Sequence, residues 1–329
     1  MILPYMARLF CLSLACFFLV HLAVGLVVSL SAPVVLALAK RMRPNIAARF
    51  LLAARFFPAM AAGLAVAAVC VPSYLWLEPD ASMEEVGLVC LAAALLGIGI
   101  CAISMRRGLR AIILSLRYGR HCGRVGHETL LAEETTPVIV VDGTAGLVAM
   151  AGIVHPRLLI SRDVLRELSD EELAAALRHE RGHQSSHDNL KRLLLLLAPD
   201  ILPVRRGARG GFEKLERGWA RMAEWAADDL AVGADSERSI SLAGALVRVA
   251  RLRTIPLASP LMTSLVADGS DLEARVDRLL GGARGGEKSV QGKPVILCAT
   301  LLLAGVFGIA FSEPATLRAA HVVLERLIR

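Results

Sequence analysis

From residue 9 to residue 39 the chain is apolar almost without a break, interrupted only by His21, a few serines and Pro33. That run exceeds the roughly 20 residues a helix needs to cross a bilayer. Similar runs follow from about Phe56 to Leu77, from about Val86 to Ser104 and from Pro294 to Phe311. The charges between them set a direction. Lys40, Arg41, Arg43, Arg49 and Arg55 separate the first two runs, whereas the stretch from Glu78 to Glu85 between the second and third holds acids and no base. Arg106, Arg107, Arg110, Arg117, Arg120 and Arg124 follow the third. Basic loops stay in the cytoplasm. The pattern predicts a multi-pass protein of the inner (plasma) membrane. Four spans leave both termini extracytoplasmic and put everything between the third and fourth in the cytoplasm. Ala37-Leu38-Ala39 imitates a signal-peptide cleavage site, but the run before it is too long for one and a basic block follows. His21, a polar group inside a span, is a functional candidate by cost alone, with a helix-contact role as the plainer use.

The cytoplasmic part divides by pattern. In residues 105–136, arginines alternate with Leu109, Ile112, Ile113, Leu114 and Leu116, which reads as a basic amphipathic connector at the membrane surface. A straight extension of the third span's helix fits the same residues. Residues 137–280 form the cytoplasmic domain. Pro137 to Val141 is a β-branched run closed by the turn pair Asp142-Gly143; Leu147 to Val154 and Leu158 to Ser161 read as further strands, broken at His155-Pro156. Leu193 to Leu197 is too short to span, and 205–211 is a basic loop. Asp271 to Leu280 is an amphipathic helix. Residues 281–293 are a Gly-rich linker into the fourth span at 294–311, and 312–329 is a short outer tail. The fold class is therefore a mainly α membrane protein with a cytoplasmic α+β domain.

Composition narrows the partners. The chain is 55% hydrophobic with a mean hydropathy of +0.57, which suits lipid as its first partner. A net charge of +7 would suggest nucleic acid in a soluble protein, but here the basic residues cluster in the loops expected on the cytoplasmic side. Aromatics are only 5%, too few for base-stacking platforms, so no direct nucleic-acid contact is expected. Of the seven cysteines all but Cys122 lie in apolar runs and none forms C-x-x-C, so neither a disulfide framework nor a cysteine metal site is indicated.

The chemistry lies in His179-Glu180-Arg181-Gly182-His183. Ser169 begins the segment as an N-cap, with Glu172 three residues on as a capping box. Histidines four apart on a helix lie about 40° apart around its axis, so both imidazoles can reach one metal ion. Glu180 faces the same cavity without ligating. It can take the proton of the attacking water, the arrangement of H-E-x-x-H zinc proteases. Such a site needs a third protein ligand. Downstream, Glu224 and Asp228 share a helical face in Ala223 to Ala231. A like-charged pair at that spacing is unfavourable alone but suits a dication, with Glu224 as ligand and Asp228 accepting from a ligating imidazole. His187 continues the four-residue spacing. However, a helix rises about 6 Å per four residues, which spreads three such ligands too far for one tetrahedral ion.

The set His179-Glu180-x-x-His183 with Asp188, then Glu224-x-x-x-Asp228, resembles gluzincin-type membrane metallopeptidases. It is most similar to the BlaR/MecR sensor proteases that relieve a cytoplasmic repressor. The resemblance implies one Zn2+ per chain and a cytoplasmic protein substrate, a repressor among the candidates. A homodimer is a further expected partner. It also implies a substrate-pairing edge strand at Gly152-Ile153-Val154, an orienting role for Asp188, and Arg275 near the site, where a salt bridge within its own helix is the simpler use. Those sensors carry a large extracellular penicillin-binding domain after the last span; here only 312–329 follow, so β-lactam sensing is not implied. An HtpX-type quality-control protease and a metal-stabilised receptor that cuts nothing remain the alternatives. No oxyanion donor is identified, Tyr118 being the only tyrosine of the cytoplasmic part.

Overall fold

A computed structural model describes residues 4–77, 86–130, 137–142, 146–153, 156–201, 210–252, 261–266, 271–281 and Val322. The expected fourth span at 294–311 lies outside them, with most of the linker and outer tail. Among the described residues, three helices are long and apolar enough to cross a membrane. They are α1 (Tyr5–Ala39), α2 (Pro44–Ala65) and α4 (Leu88–Val125), α2 running on through a π-turn (Val66–Cys70) into α3 (Val71–Leu77).

Two of these differ from the hydropathy reading. The second helix begins at Pro44, not near Phe56. Pro44 sits in the first turn, where its missing N–H is no loss, and the helix carries Arg49 and Arg55 within it. Hydropathy assigns such arginines to a loop because it cannot see their partners. The third helix runs unbroken from Leu88 to Val125, so the arginines of 105–125 lie on its extension and not on a separate surface helix. No proline interrupts that stretch, and its far end is anchored by packing against the sheet.

That sheet has five short strands in the order β1-β2-β4-β3-β5. They are β1 (His127–Thr129), β2 (Val138–Val141), β3 (Val148–Ala151), β4 (Arg157–Ser161) and β5 (Met262–Ser264). Only β2 and β4 are parallel, with Val140 opposite Ile160. The apolar runs do not alternate because both faces are covered. One face packs Val148, Met150 and Ile160 against helices α6 (Asp170–Ser185) and α9 (Ser236–Leu252), through Ala175, Ala176, Leu242 and Leu246. The other packs Ile139, Ala149 and Leu159 against Cys122 and Tyr118 at the end of α4. Gly126, where α4 meets β1, is confined: a Cβ there would meet Ile139 at 2.5 Å.

The expected edge strand at Gly152-Ile153-Val154 is corrected. The strand ends at Ala151, and β3 is interior, with β4 on one side and β5 on the other; Ala151 pairs with both Arg157 and Met262. Gly152 leaves the strand at φ 109°, and Val154 lies outside the described residues. The late strand β5, too short to announce itself in sequence, pairs along β3 and takes the sheet edge.

The remaining helices are α5 (Arg162–Glu167), α7 (Asp188–Leu197), α8 (Gly211–Val232) and α10 (Leu272–Leu280). Helix α8 lies on the spanning helices: Leu215, Trp219, Met222 and Ala223 pack with Ala32, Ala47, Ala48 and Leu51. The end of α7 is gripped from the same side. Arg55, 1% exposed, donates to Glu216 Oε1 at 2.9 Å, Asp200 Oδ1 at 3.1 Å and the Pro199 carbonyl at 3.2 Å. Arg107 of α4 also pairs with Asp200 and donates to the Ala198 carbonyl at 2.9 Å. His21 takes the contact role, its Nε2 lying 3.2 Å from the Asp200 carbonyl oxygen. Burying these arginines is tolerable because each is paired and hydrogen-bonded.

Arg55→Ala should therefore lower the unfolding free energy in detergent micelles by about 3 kcal/mol, since it strands buried partners. Arg157→Ala, which removes the exposed pair with Glu128, should change it by less than about 1 kcal/mol. Equal effects from the two variants would contradict a structural role for the Arg55 network.

Candidate metal centre

Helix α6 starts as its sequence dictates. The Ser169 hydroxyl accepts from the Glu172 N–H, and the Glu172 carboxylate accepts from the Ser169 N–H. The helix then presents His179, Glu180 and His183 on its buried face. Gly182, between the histidines, lets α8 come close: a Cβ there would lie 3.2 Å from Ala227 Cα. Two small residues thus set the distance at which Glu224 and Asp228 of α8 face the histidines of α6.

His179, His183 and Glu224 are all buried and form a group that could hold a metal ion. Their candidate ligand atoms are separated by 3.1 Å (Nε2 to Nε2), 3.5 Å (His179 Nε2 to Glu224 Oε2) and 3.6 Å (His183 Nε2 to Glu224 Oε2). Donors about 2.05 Å from a tetrahedral centre lie about 3.3 Å apart, so the three atoms match edges of such a site. Both oxygens of Glu224 are buried without a hydrogen bond among the described residues. Arg275 and Arg192 approach this carboxylate at 3.2 and 3.6 Å, and its Oε2 also faces both imidazole Nε2 atoms across the distances a metal would bridge. The residues therefore fit a metal.

Behind the ligands each imidazole is oriented by a carboxylate. His179 Nδ1 lies 2.9 Å from Asp228 Oδ1, and His183 Nδ1 donates to Asp188 Oδ2 at 2.7 Å. This fixes both Nε2 atoms toward the common point. Asp188, given an orienting role by the resemblance, lies against a ring, and it also accepts from Lys191 Nζ. Arg275 is not engaged within its own helix. Buried on α10, it donates from Nε and Nη2 to the two oxygens of Asp228 at 2.9 and 2.6 Å and from Nη1 to the Leu265 carbonyl at 2.7 Å. The same Nη1 lies 3.2 Å from Glu224 Oε2. His187 is exposed, with φ 55°, beyond the end of α6, and is not part of the His-His-Glu group.

The charges shift one another. Burial alone would lower the His183 pKa, but the Glu224 charge and the Asp188 hydrogen bond raise it to about 10. His179 is likewise raised, by Asp228 and Glu224 against its burial. Glu224 sits well below the usual carboxylate range despite burial, drawn down by His183 and His179. Glu180 behaves differently: burial pushes it up to about 7, against the pull of both histidines, and neither of its oxygens has a hydrogen-bond partner among the described residues. It is held close to the point where it can accept or release a proton near neutral pH.

Two further residues shape the site. Asn189, buried on α7, donates from Nδ2 to the carbonyls of Met150 and Gly152 at 3.0 and 2.8 Å, pinning α7 to the end of β3. Arg192, one turn on from Asp188, brings Nη2 to 3.6 Å from Glu224 Oε1. The four-residue spacing from Asp188 to Arg192 was the available signal for the second. No family model, curated protein or solved structure matches this chain.

Because His183 titrates near 10 without metal, it is protonated at pH 7, and a metal needs it neutral. Metal binding should thus release protons, and affinity should rise between pH 6 and pH 8. Calorimetry in buffers of different ionisation enthalpy measures this; a proton count of zero would contradict the arrangement. His179→Ala or His183→Ala should abolish binding, Glu224→Ala should weaken it strongly, and His187→Ala should leave it nearly intact, as read by metal analysis after dialysis.

Proposed function

We propose that this chain is a zinc-dependent endopeptidase of the membrane that cleaves a cytoplasmic protein. The observation that carries the proposal is the pairing of a His-His-Glu group at tetrahedral separations with Glu180, a buried carboxylate committed to no partner. A site that only binds a metal for stability has no use for such a group, and burying it costs free energy.

Zinc suits the two imidazoles and one carboxylate, and when bound it would lower the pKa of its water to about 7 and polarise a carbonyl. The chain's own residues do the rest. Asp228 and Asp188 keep both imidazole rings aimed at the common point. Glu180 accepts the proton of the attacking water at a carboxylate oxygen and later returns it to the departing amine. Burial raises its pKa above the ordinary carboxylate value, which favours holding the proton between the two steps. The buried surroundings exclude bulk water and strengthen each of these interactions.

Zinc as the metal and a repressor as the substrate rest on the resemblance to BlaR/MecR sensors, carried by His179, Glu180, His183, Asp188, Glu224 and Asp228. The inner-membrane location and the cytoplasmic placement of the domain rest on the arginines beside the spanning helices. A cysteine introduced at Ser236, exposed at the start of α9, should be labelled by an impermeant reagent only after the membrane is opened. Labelling in intact cells would reverse the orientation.

Glu180→Gln keeps the shape of the side chain but cannot take a proton. Turnover should fall by at least about 10²–10⁴-fold, the usual worth of general-base catalysis, while zinc content stays unchanged. Comparing the proteins of cells with wild type and Glu180→Gln should reveal one substrate whose cleavage is lost. Cleavage that persists in the variant would overturn the peptidase reading.

A further inference from the structure

Peptide hydrolysis builds negative charge on the scissile carbonyl oxygen, and a preorganised donor in a water-poor site is the strongest means of meeting it. Two guanidinium groups reach the candidate metal centre. Arg275 is committed, with both oxygens of Asp228 and the Leu265 carbonyl taking its hydrogen bonds. Arg192 is not. Its contact with Glu224 Oε1, at 3.6 Å, is an ion pair longer than a hydrogen bond. Its Nε is buried without a partner, and no described residue accepts a hydrogen bond from its guanidinium. The acid one turn before it, Asp188, is already held by His183 and Lys191.

Exposure separates the two cations further. The Arg275 side chain is 4% exposed and that of Arg192 20%, beside ligands that are almost fully buried. Arg192 is therefore the more solvent-accessible of the two. Its position is nonetheless defined: the guanidinium lies 5.9 Å from the centroid of the Trp219 ring, a cation–π contact that holds it without using its N–H groups. An arginine kept in place by a ring, with its donors left over, is suited to an anion that appears only during reaction.

We propose that Arg192 is a catalytic residue that donates from its guanidinium to the oxyanion of the scissile carbonyl, an inference that rests on the peptidase reading above. As the water oxygen bonds to the carbonyl carbon, the π pair moves onto the carbonyl oxygen and the water's proton passes to Glu180. The pair then re-forms the C=O bond as the C–N bond breaks, and the amine nitrogen takes the proton from Glu180. Arg192 stays protonated throughout. At rest it lies against Glu224 Oε1, the carboxylate oxygen turned away from the two imidazoles.

The test reads anion binding, independently of turnover. The full-length protein in detergent is loaded with Co2+, and inorganic phosphate, a tetrahedral oxyanion, is titrated against the visible absorption of the cobalt. Arg192→Gln should weaken phosphate binding by about 10- to 100-fold, the range expected for a lost charge-assisted hydrogen bond. Arg192→Lys should fall between, since it keeps the charge and loses the fork. Cobalt affinity should be unchanged in both. Phosphate affinity equal in wild type and Arg192→Gln, or no phosphate binding to loaded wild type, overturns the proposal. So does a loss of cobalt affinity with phosphate binding intact, which would make Arg192 a positioning residue for Glu224. A chain that takes up no cobalt at all overturns the metal reading itself, and this inference with it.

Discussion

Among the described residues, seven ionisable side chains are buried around one point: His179, Glu180, His183, Asp188, Glu224, Asp228 and Arg275. Removing charges from water is costly, and the cost is offset where each charge finds an opposite one at contact distance. Asp228 does this twice, lying 2.9 Å from the His179 ring and accepting both arms of Arg275. Asp188 meets His183 in the same way. These pairings tie α6, α7, α8 and α10 to one centre. Glu180 is the exception: neither of its carboxylate oxygens has a hydrogen-bond partner among the described residues.

The same centre is fastened to the three long apolar helices by three routes. Helix α8, which carries Glu224 and Asp228, packs directly on α1 and α2. Helix α7 begins at Asp188 beside His183, and the residues just after it are gripped by Arg55 and Arg107. The sheet under α6 rests on the end of α4 through Cys122 and Tyr118. Of the two helices that carry the candidate ligands, α8 packs on the long apolar helices directly, and α6 reaches them through the sheet, α7 and α8. Between α6 and α8 the approach is close: a Cβ on Gly182 would lie 3.2 Å from Ala227 Cα.

Some of this was written in local sequence. The capping box at Ser169, the four-residue spacing of His179 and His183, and the four-residue spacing of Glu224 and Asp228 are properties of a helix alone, so they survive any tertiary arrangement. The apolar runs named three helices for the same reason, since crossing a bilayer is a matter of length and composition. The strand runs at 138–141 and 157–161 also stood out, being β-branched or apolar and closed by turns or caps.

What local sequence could not decide was partnership. That Arg55 belongs inside a helix depends on Glu216 and Asp200, 161 and 145 residues away. That β3 is interior depends on β5, three residues long and without a pattern of its own. That Asp188 holds an imidazole, that Arg275 grips Asp228 and that Arg192 is left with free donors are facts about which helices meet and at what distance. Periodicity specifies which face of a helix a side chain is on. Only packing decides what that face touches, because the energy of a buried charge is fixed by its neighbours in space and not by those in sequence.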